Sequence, residues 1–408
     1  VFLYRILMTL ASVVLLVRPC LRGDWALASD RLGRGPAASG PHLWLHAASN
    51  GELASARGLI EHVLTVRSDM GVLITCNTAT AATLARSWGI SRLHVRLAPL
   101  DLGFINRRML RRWNIQLHIT MESELWPDRV IRCAAAGIPV AIFGARLTKR
   151  TARGWARFGG LARKVLGRIS YLSAQDSRSL ARLRALGLRA SAVGPVLDLK
   201  ASYTPPQDLT PDATLRACFP RAQTWLAAST HPGDEAVVIA AHLAARAVRP
   251  GLRLIIAPRH PARGAGIAEA LTAAGLKFAQ RSRSDAIDKE VLLADTMGEM
   301  ALWYAVAGTV FIGGTLSDRG GHTPYEPSAF GAALIHGPDV DNFSSAFGRL
   351  QRARASICIG NAEELAKALC DLDTTASQAE FGAAARAALM QGDALKKVKA
   401  DLGHLLTG

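Results

Sequence analysis

The sequence has no C-x-x-C pair, no G-x-x-x-x-G-K-[ST] loop and no internal repeat. Each absence removes a class. Its six cysteines, at positions 20, 76, 133, 218, 358 and 370, are scattered, so neither a zinc site nor a disulfide framework is indicated. A reducing, cytoplasmic setting is the default. Without the phosphate loop it is not a P-loop NTPase, and no G-x-G-x-x-G follows the first apolar run, which argues against a dehydrogenase. Aromatic residues are only 6% of the chain although half of it is hydrophobic, which suits a globular α/β protein rather than a disordered one. Acid is scarce as well: 32 Asp and Glu against 49 Lys and Arg leave a formal charge of +17. Such an excess attracts anions, whether nucleic acid, phosphorylated small molecules or an anionic membrane face. No RNP aromatic motif, zinc finger or recognition-helix pattern accompanies it, so nucleic acid is not an expected partner.

What is present is length and pattern. A chain of 408 residues exceeds one ordinary core, and two domains are expected. Residues 6–17 (ILMTLASVVLLV) form an apolar stretch, preceded by Arg5 and followed by Arg18 and Arg22. It is short for a membrane span, which needs about 20 apolar residues, and no small-x-small cleavage site follows it. Residues 1–22 are therefore read as a membrane-anchor helix, shallow or barely spanning, with the body held on the cytoplasmic side. The alternative is a core helix packed on the first domain.

Beyond it, short apolar runs alternate with helix-length segments. They fall at 42–47, 72–75, 94–98, 116–121, 140–145, 171–174 and 191–194, then at 224–228, 252–257, 291–294, 309–312, 332–336 and 356–359. That alternation predicts parallel sheets with crossover helices. Residues 201–212 (ASYTPPQDLTPD) read as a linker. The expected architecture is two facing Rossmann-like domains, residues 30–200 and 213–408, with the last helix free to pack back on the first.

In open α/β sheets ligands sit beyond the carboxyl ends of the strands, so the loops there carry the chemistry. After the first run comes HAASNGE, with His46, Ser49, Asn50 and Glu52; after the fourth comes ESELWP, with Glu122 and Glu124. The second half offers Ser229-Thr230-His231-Pro232, Pro258-Arg259-His260-Pro261, Met297-Gly298-Glu299 at a helix start, and a glycine-hinged loop with Gly314, Arg319, His322 and Glu326. Hydroxyls, imidazoles, arginine forks and helix-start amides together make an anion site. A metal triad of His231, His260 and His322 is disfavoured against the reading in which each imidazole donates to an anion or to a backbone carbonyl. Ser49-x-x-Glu52 is a capping box, with Glu52 expected to reach the cap's own backbone amide. At a helix N-terminus Glu52 should stay ionised with lowered proton affinity. Glu326, in a first helical turn, can accept from sugar hydroxyls or simply answer the helix dipole. Two basic clusters lie in the first half: Arg107, Arg108, Arg111 and Arg112, then Arg146, Lys149, Arg150, Arg153 and Arg157.

Seven segments in order carry a family resemblance: LWLHAASNGE (43–52), ITMESELWP (119–127), FGARLTKRTARGW (143–155), STHPGDE (229–235), APRHP (257–261), LADTMGEMALWY (293–304) and GGHTPYEPSAFG (320–331). Together they resemble the 3-deoxy-D-manno-octulosonic acid (Kdo) transferases acting on lipid A. The resemblance implies a GT-B fold and an inverting transfer from CMP-Kdo to a lipid A precursor at the cytoplasmic face of the inner membrane. No cofactor and no metal are expected; the partners are the CMP-sugar donor, the lipid A precursor and anionic inner-membrane lipids. The implied general base is Glu52. Glu122 is a second catalytic candidate; it could instead orient a hydroxyl or a basic neighbour. Donor contacts fall on Ser229, His231, Arg259, His260, Met297, Gly298, Glu299, Gly314, Arg319, His322 and Glu326, and acceptor contacts on Ser49, Asn50, Glu124 and Arg146. The chain departs from the family pattern at Asn50, at Thr323 and across residues 193–196, where Gly-Asn-x-Lys is expected. Those departures leave open a paralogue with an altered acceptor or donor. The rivals from other classes are a nucleotide-sugar 2-epimerase of similar fold and a non-catalytic binding protein.

Overall fold

The structure, a computed structural model, describes residues 2–122, 124–206 and 208–407. The chain divides into two compact units, Val1–Ser202 with Gln391–Gly408, and Tyr203–Met390. The second boundary lies inside the expected C-terminal domain. The final helix, Gly392–Thr407, belongs to the first unit, where Val398 and Leu402 are fully buried and Asp401 accepts a hydrogen bond from the Tyr171 hydroxyl.

In the first unit, strands β1 (His42–Ala47), β2 (Gly71–Cys76), β3 (Leu93–Leu97), β4 (Ile115–Met121), β5 (Val140–Ala145) and β6 (Tyr171–Ala174) form one parallel sheet in the order β3-β2-β1-β4-β5-β6. Helices cover both faces, so β1, β2, β5 and β6 are buried at every position and read as continuous apolar runs rather than alternating ones. Residues 191–194 are not a seventh strand. They form a 3-10 turn at Ala190–Ala192 and a single bridge from Val193 to Leu172.

In the second unit, β7 (Thr224–Thr230), β8 (Arg253–Pro258), β9 (Phe278–Gln280), β10 (Val291–Leu293), β11 (Thr309–Ile312), β12 (Ala333–His336) and β13 (Ile357–Cys358) form a parallel sheet in the order β13-β12-β11-β7-β8-β10-β9. Its edge strand β9 has no counterpart among the expected runs.

The winding reverses between β1 and β4 in the first sheet and between β7 and β11 in the second. At such a point the loops leaving two neighbouring strands part to opposite faces and open a crevice at the carboxyl edge. The four loops that leave these strands carry Glu52, Glu122 with Glu124, His231, and the glycine-rich segment 313–322.

Candidate active site

The first cluster is built on β1 and β4. The helix Asn50–Val66 follows β1, capped by Ser49, whose hydroxyl accepts from the Glu52 amide at 3.3 Å. The Glu52 carboxylate accepts from the amide of Ala48 at 2.8 Å, one residue before the cap, and its other oxygen takes the Ser49 hydroxyl at 3.3 Å. The reciprocal capping box is thus shifted by one position. The expected depression of its pKa is also reversed. Burial first, then the charges of Glu122 and Glu124, push Glu52 up to about 7 against the two hydrogen bonds that favour its ionised form.

Glu122 follows β4 with φ at +48°, a left-handed conformation that a residue with a Cβ adopts at a cost of about 1–2 kcal/mol. Its side chain pairs with Lys200 at 3.1 Å. Glu122 therefore meets a basic neighbour, one of the roles open to it. Lys200 lies four residues beyond the 193–196 stretch in which the family pattern places a lysine.

Glu124 is held by three donors on one oxygen: Trp126 Nε1 at 2.9 Å, His46 Nε2 at 3.3 Å and Asn77 Nδ2 at 3.4 Å. Burial opposes its charge, but the His46, Trp126 and Asn77 bonds outweigh it and leave Glu124 below the usual carboxylate range. His46 is fully buried. Burial and the Arg129 charge lower it to about 4, so it is neutral. Its tautomer follows from donor counting. The Trp44 indole N–H donates to Thr75 Oγ1 at 2.9 Å, so the Thr75 proton is free for His46 Nδ1 at 3.0 Å, and Nε2–H then donates to Glu124. His46, Thr75 and Asn77 stand at the ends of β1 and β2. Only His46 carried a signal, as the last polar residue inside an apolar run.

The remaining acceptor-side candidates are less enclosed. Asn50 is exposed and accepts from the Thr80 hydroxyl at 3.4 Å. Arg146 is half-buried after β5. In the first basic cluster, Arg108 and Arg112 donate to the carbonyls of Leu32 and Gly35, so these two tie down a loop. The helix Lys149–Arg157 buries none of its residues and presents its cations outward.

The second cluster forms where β7 and β11 part. Ser229 has φ at +56°, and the pairing of β7 with β8 slips between Ala228 and Thr230, which turns the chain out of the sheet. Buried Asp234 joins the two loops, accepting from the His231 amide at 2.9 Å and the Gly314 amide at 2.7 Å. Gly313 is required here. A Cβ on it would stand 2.5 Å from the Ser229 carbonyl oxygen and 2.7 Å from that of Ala228. Gly321 donates back to the Gly314 carbonyl and His322 to that of Gly313, which closes the loop on itself.

These constraints bring five side chains together. His231 Nε2 and His322 Nε2 are 2.8 Å apart with their rings nearly parallel, and the His260 ring lies 6.0 Å from that of His231. Burial and the charges of Arg319, His260 and Arg259 lower His231 against the pull of Asp234. Burial, then His231, Arg259 and His260, take His322 down to about 4. The edge is cationic through exposed Arg259 and Arg319.

Four donor-side candidates, Met297, Gly298, Glu299 and Glu326, stand outside this group of side chains. The helix expected at Met297 begins at Met300, and Glu299 is engaged by Arg281 at 2.7 Å and by the Thr296 hydroxyl. The Arg281 bonds first, and then Thr296, hold that carboxylate below its usual range. Glu326 lies in the helix Tyr325–Ala329, where its charge adds to the burial that raises the Tyr203 and Tyr304 hydroxyls. Thr323 is occupied locally, accepting from the Tyr325 amide at 3.3 Å.

The comparisons bear on this arrangement. A family model described as 3-deoxy-D-manno-octulosonic-acid transferase (kdotransferase) matches residues 27–203. The chain is 30% identical over 356 residues to the 3-deoxy-D-manno-octulosonic acid transferase of Haemophilus influenzae, covering 86% of this chain and 83% of that one. Among solved structures, a glycosyltransferase from Rickettsia africae aligns with a TM-score of 0.63 at 11% identity, over 90% of this chain and 99% of its own. The UDP-GlcNAc 2-epimerase of Neisseria meningitidis aligns with a TM-score of 0.61 at 12% identity, over 89% and 99%. The two structural likenesses establish the fold and do not separate transferase from epimerase; the sequence relative does.

Proposed function

The chain belongs to the 3-deoxy-D-manno-octulosonic acid transferase family, and on that premise we propose that it moves Kdo from CMP-Kdo to a hydroxyl of a lipid A precursor with inversion at the anomeric carbon. The acceptor oxygen attacks that carbon, the bond to the phosphate oxygen breaks, and CMP leaves with the bonding electrons. The acceptor proton passes to Glu52. Arg259 and Arg319 supply counter-charge to the CMP phosphate and the Kdo carboxylate, which is where a transferase needs it as the leaving group departs. No metal takes part in this reading.

The observation that carries it is Glu52 at a winding reversal with its carboxylate raised to about 7. A general base works best with a pKa near the working pH, and a carboxylate at its ordinary value would be a weak one. Glu124, kept ionised by its three donors, is assigned to hold acceptor hydroxyls, with Ser49, Asn50 and Arg146 beside it on the acceptor side. The protein works at the cytoplasmic face of the inner membrane. There the helix Phe2–Leu21, apolar enough to enter a bilayer, and the cations of Lys149–Arg157 meet anionic lipid. Juxtamembrane cations contribute about 1 kcal/mol each in that position.

Incubation with CMP-Kdo and a tetraacylated lipid A precursor, followed by mass spectrometry of the lipid, is expected to show a gain of one or more octulosonate units. An unchanged lipid, or interconversion of UDP-N-acetylglucosamine supplied alone, would overturn the proposal in favour of an altered acceptor or an epimerase.

A further inference from the structure

The N-terminal helix Phe2–Leu21 is long enough to cross a bilayer, yet it is attached to the first unit along its whole length. Residues Tyr4, Arg5, Met8, Ser12, Leu16, Pro19 and Cys20 are buried or half-buried. They recur every three or four positions, the spacing of one helical face. Near its start, the Tyr4 hydroxyl donates to buried Asp101 at 2.7 Å and Arg5 pairs with buried Asp128 at 2.7 Å. Near its end, Pro19 is buried and the helix packs on the short helix Trp25–Arg31, which Asp30 ties to the body by accepting from the Leu97 amide at 3.0 Å. The opposite face, including Leu3, Leu10, Val13 and Val17, is exposed and apolar. A helix crossing the hydrocarbon could not keep these contacts with the body at both ends.

Beneath this helix lies a cavity of about 560 Å³. Its walls are mainly apolar, with Met8 from the N-terminal helix, Leu125 and Trp126 after β4, and Trp155, Phe158 and Leu161 from the two helices after β5. Among the described residues, the polar side chains that line it are Tyr4, Glu124 at the candidate active site, and Arg150 and Thr151 on the basic helix. A cavity that is apolar inside, bounded by an active-site carboxylate and flanked by an exposed apolar helix face, fits a substrate with a hydrocarbon tail.

The geometry points to a helix that lies in the plane of the membrane surface rather than across it, and that forms with Trp155 and Phe158 a site for one acyl chain of the lipid acceptor. The chain enters from the bilayer beside the exposed face of the helix and sets the sugar against Glu124, with Arg150 placed for an acceptor phosphate. This rests on the transferase reading for the identity of the acceptor; the orientation of the helix does not.

Two measurements test it. Spin labels at Leu3, Leu10 and Val17, in the full chain reconstituted in phosphatidylethanolamine–phosphatidylglycerol vesicles, are expected to report one shallow depth. A crossing helix would separate successive labels by about 10 Å, and that gradient would overturn the orientation. Gly154 lines the cavity, and a Cβ on it meets nothing within 4 Å. Gly154→Leu is therefore expected to fold and to raise KM for the lipid acceptor at least tenfold with KM for CMP-Kdo unchanged. Met8→Trp should do the same from the opposite wall, and Val13→Trp, on the outer face, should not. Unchanged acceptor KM in both cavity variants would overturn the acyl-chain site. A wild-type protein that transfers no Kdo would instead refute the proposed function and leave the depth result standing.

Discussion

Glu52→Gln is expected to reduce turnover by about 10²–10⁴-fold, with CMP-Kdo binding and the unfolding transition preserved. Glutamine keeps the shape of the site. Its carbonyl can still accept from the Ala48 amide, and its amide can meet the Ser49 hydroxyl, the two partners the carboxylate has now. The substitution removes a half-buried charge that Glu122 and Glu124 already disfavour, so thermal stability should hold or rise. A residue serving only as a helix cap would behave in the opposite way, losing stability and keeping rate. Transfer assays, calorimetric donor titration and thermal unfolding of the same preparation separate the two.

Gly313→Ala is expected to weaken donor use on the order of 100-fold, the effect of displacing a positioned group by about 1 Å. The added methyl would meet two backbone carbonyls, of Ala228 and Ser229, and neither can rotate away as a flexible side chain would. The loop must lift, and with it the Gly314 amide on Asp234 and the His322 ring on His231. KM for CMP-Kdo should rise while KM for the lipid acceptor stays within twofold, because the acceptor cluster belongs to the other unit. Equal effects on both constants would mean that the loop has no particular tie to the donor.

Most strands were legible because a parallel sheet covered on both faces turns each strand into an apolar run. β9 was not, since Phe278–Gln280 is three residues long with a lysine before it and a glutamine at its end. Residues 191–194 mimic a strand in composition, but the bridge from Val193 to Leu172 is not extended into a ladder. The polar residues of the site were legible as types at strand ends. Their electrostatics were not. Local sequence at Ser49 and Glu52 speaks of a helix cap and a low pKa, whereas the pKa is set by burial and by carboxylates some seventy positions away. Asp234 was hidden in the same way. Its work is to receive amides from two loops eighty residues apart in the chain, and nothing local distinguishes it from an ordinary first-turn aspartate. The cavity beneath the N-terminal helix needed Met8 and Phe158 to be neighbours, which no periodicity in either segment foretells.

The central claim is that Glu52 acts as base from a raised pKa, and the pH dependence of kcat/KM for the acceptor tests it most directly. The rate requires the ionised carboxylate, so it should climb about tenfold per pH unit below an inflection near 7 and level off above it. His231 and His322 are both held below the ordinary imidazole range and Glu124 below the ordinary carboxylate range, so none of these three places an inflection there. A profile flat from pH 5.5 to about 8.5, or one whose inflection persists in the residual activity of Glu52→Gln, would contradict the account.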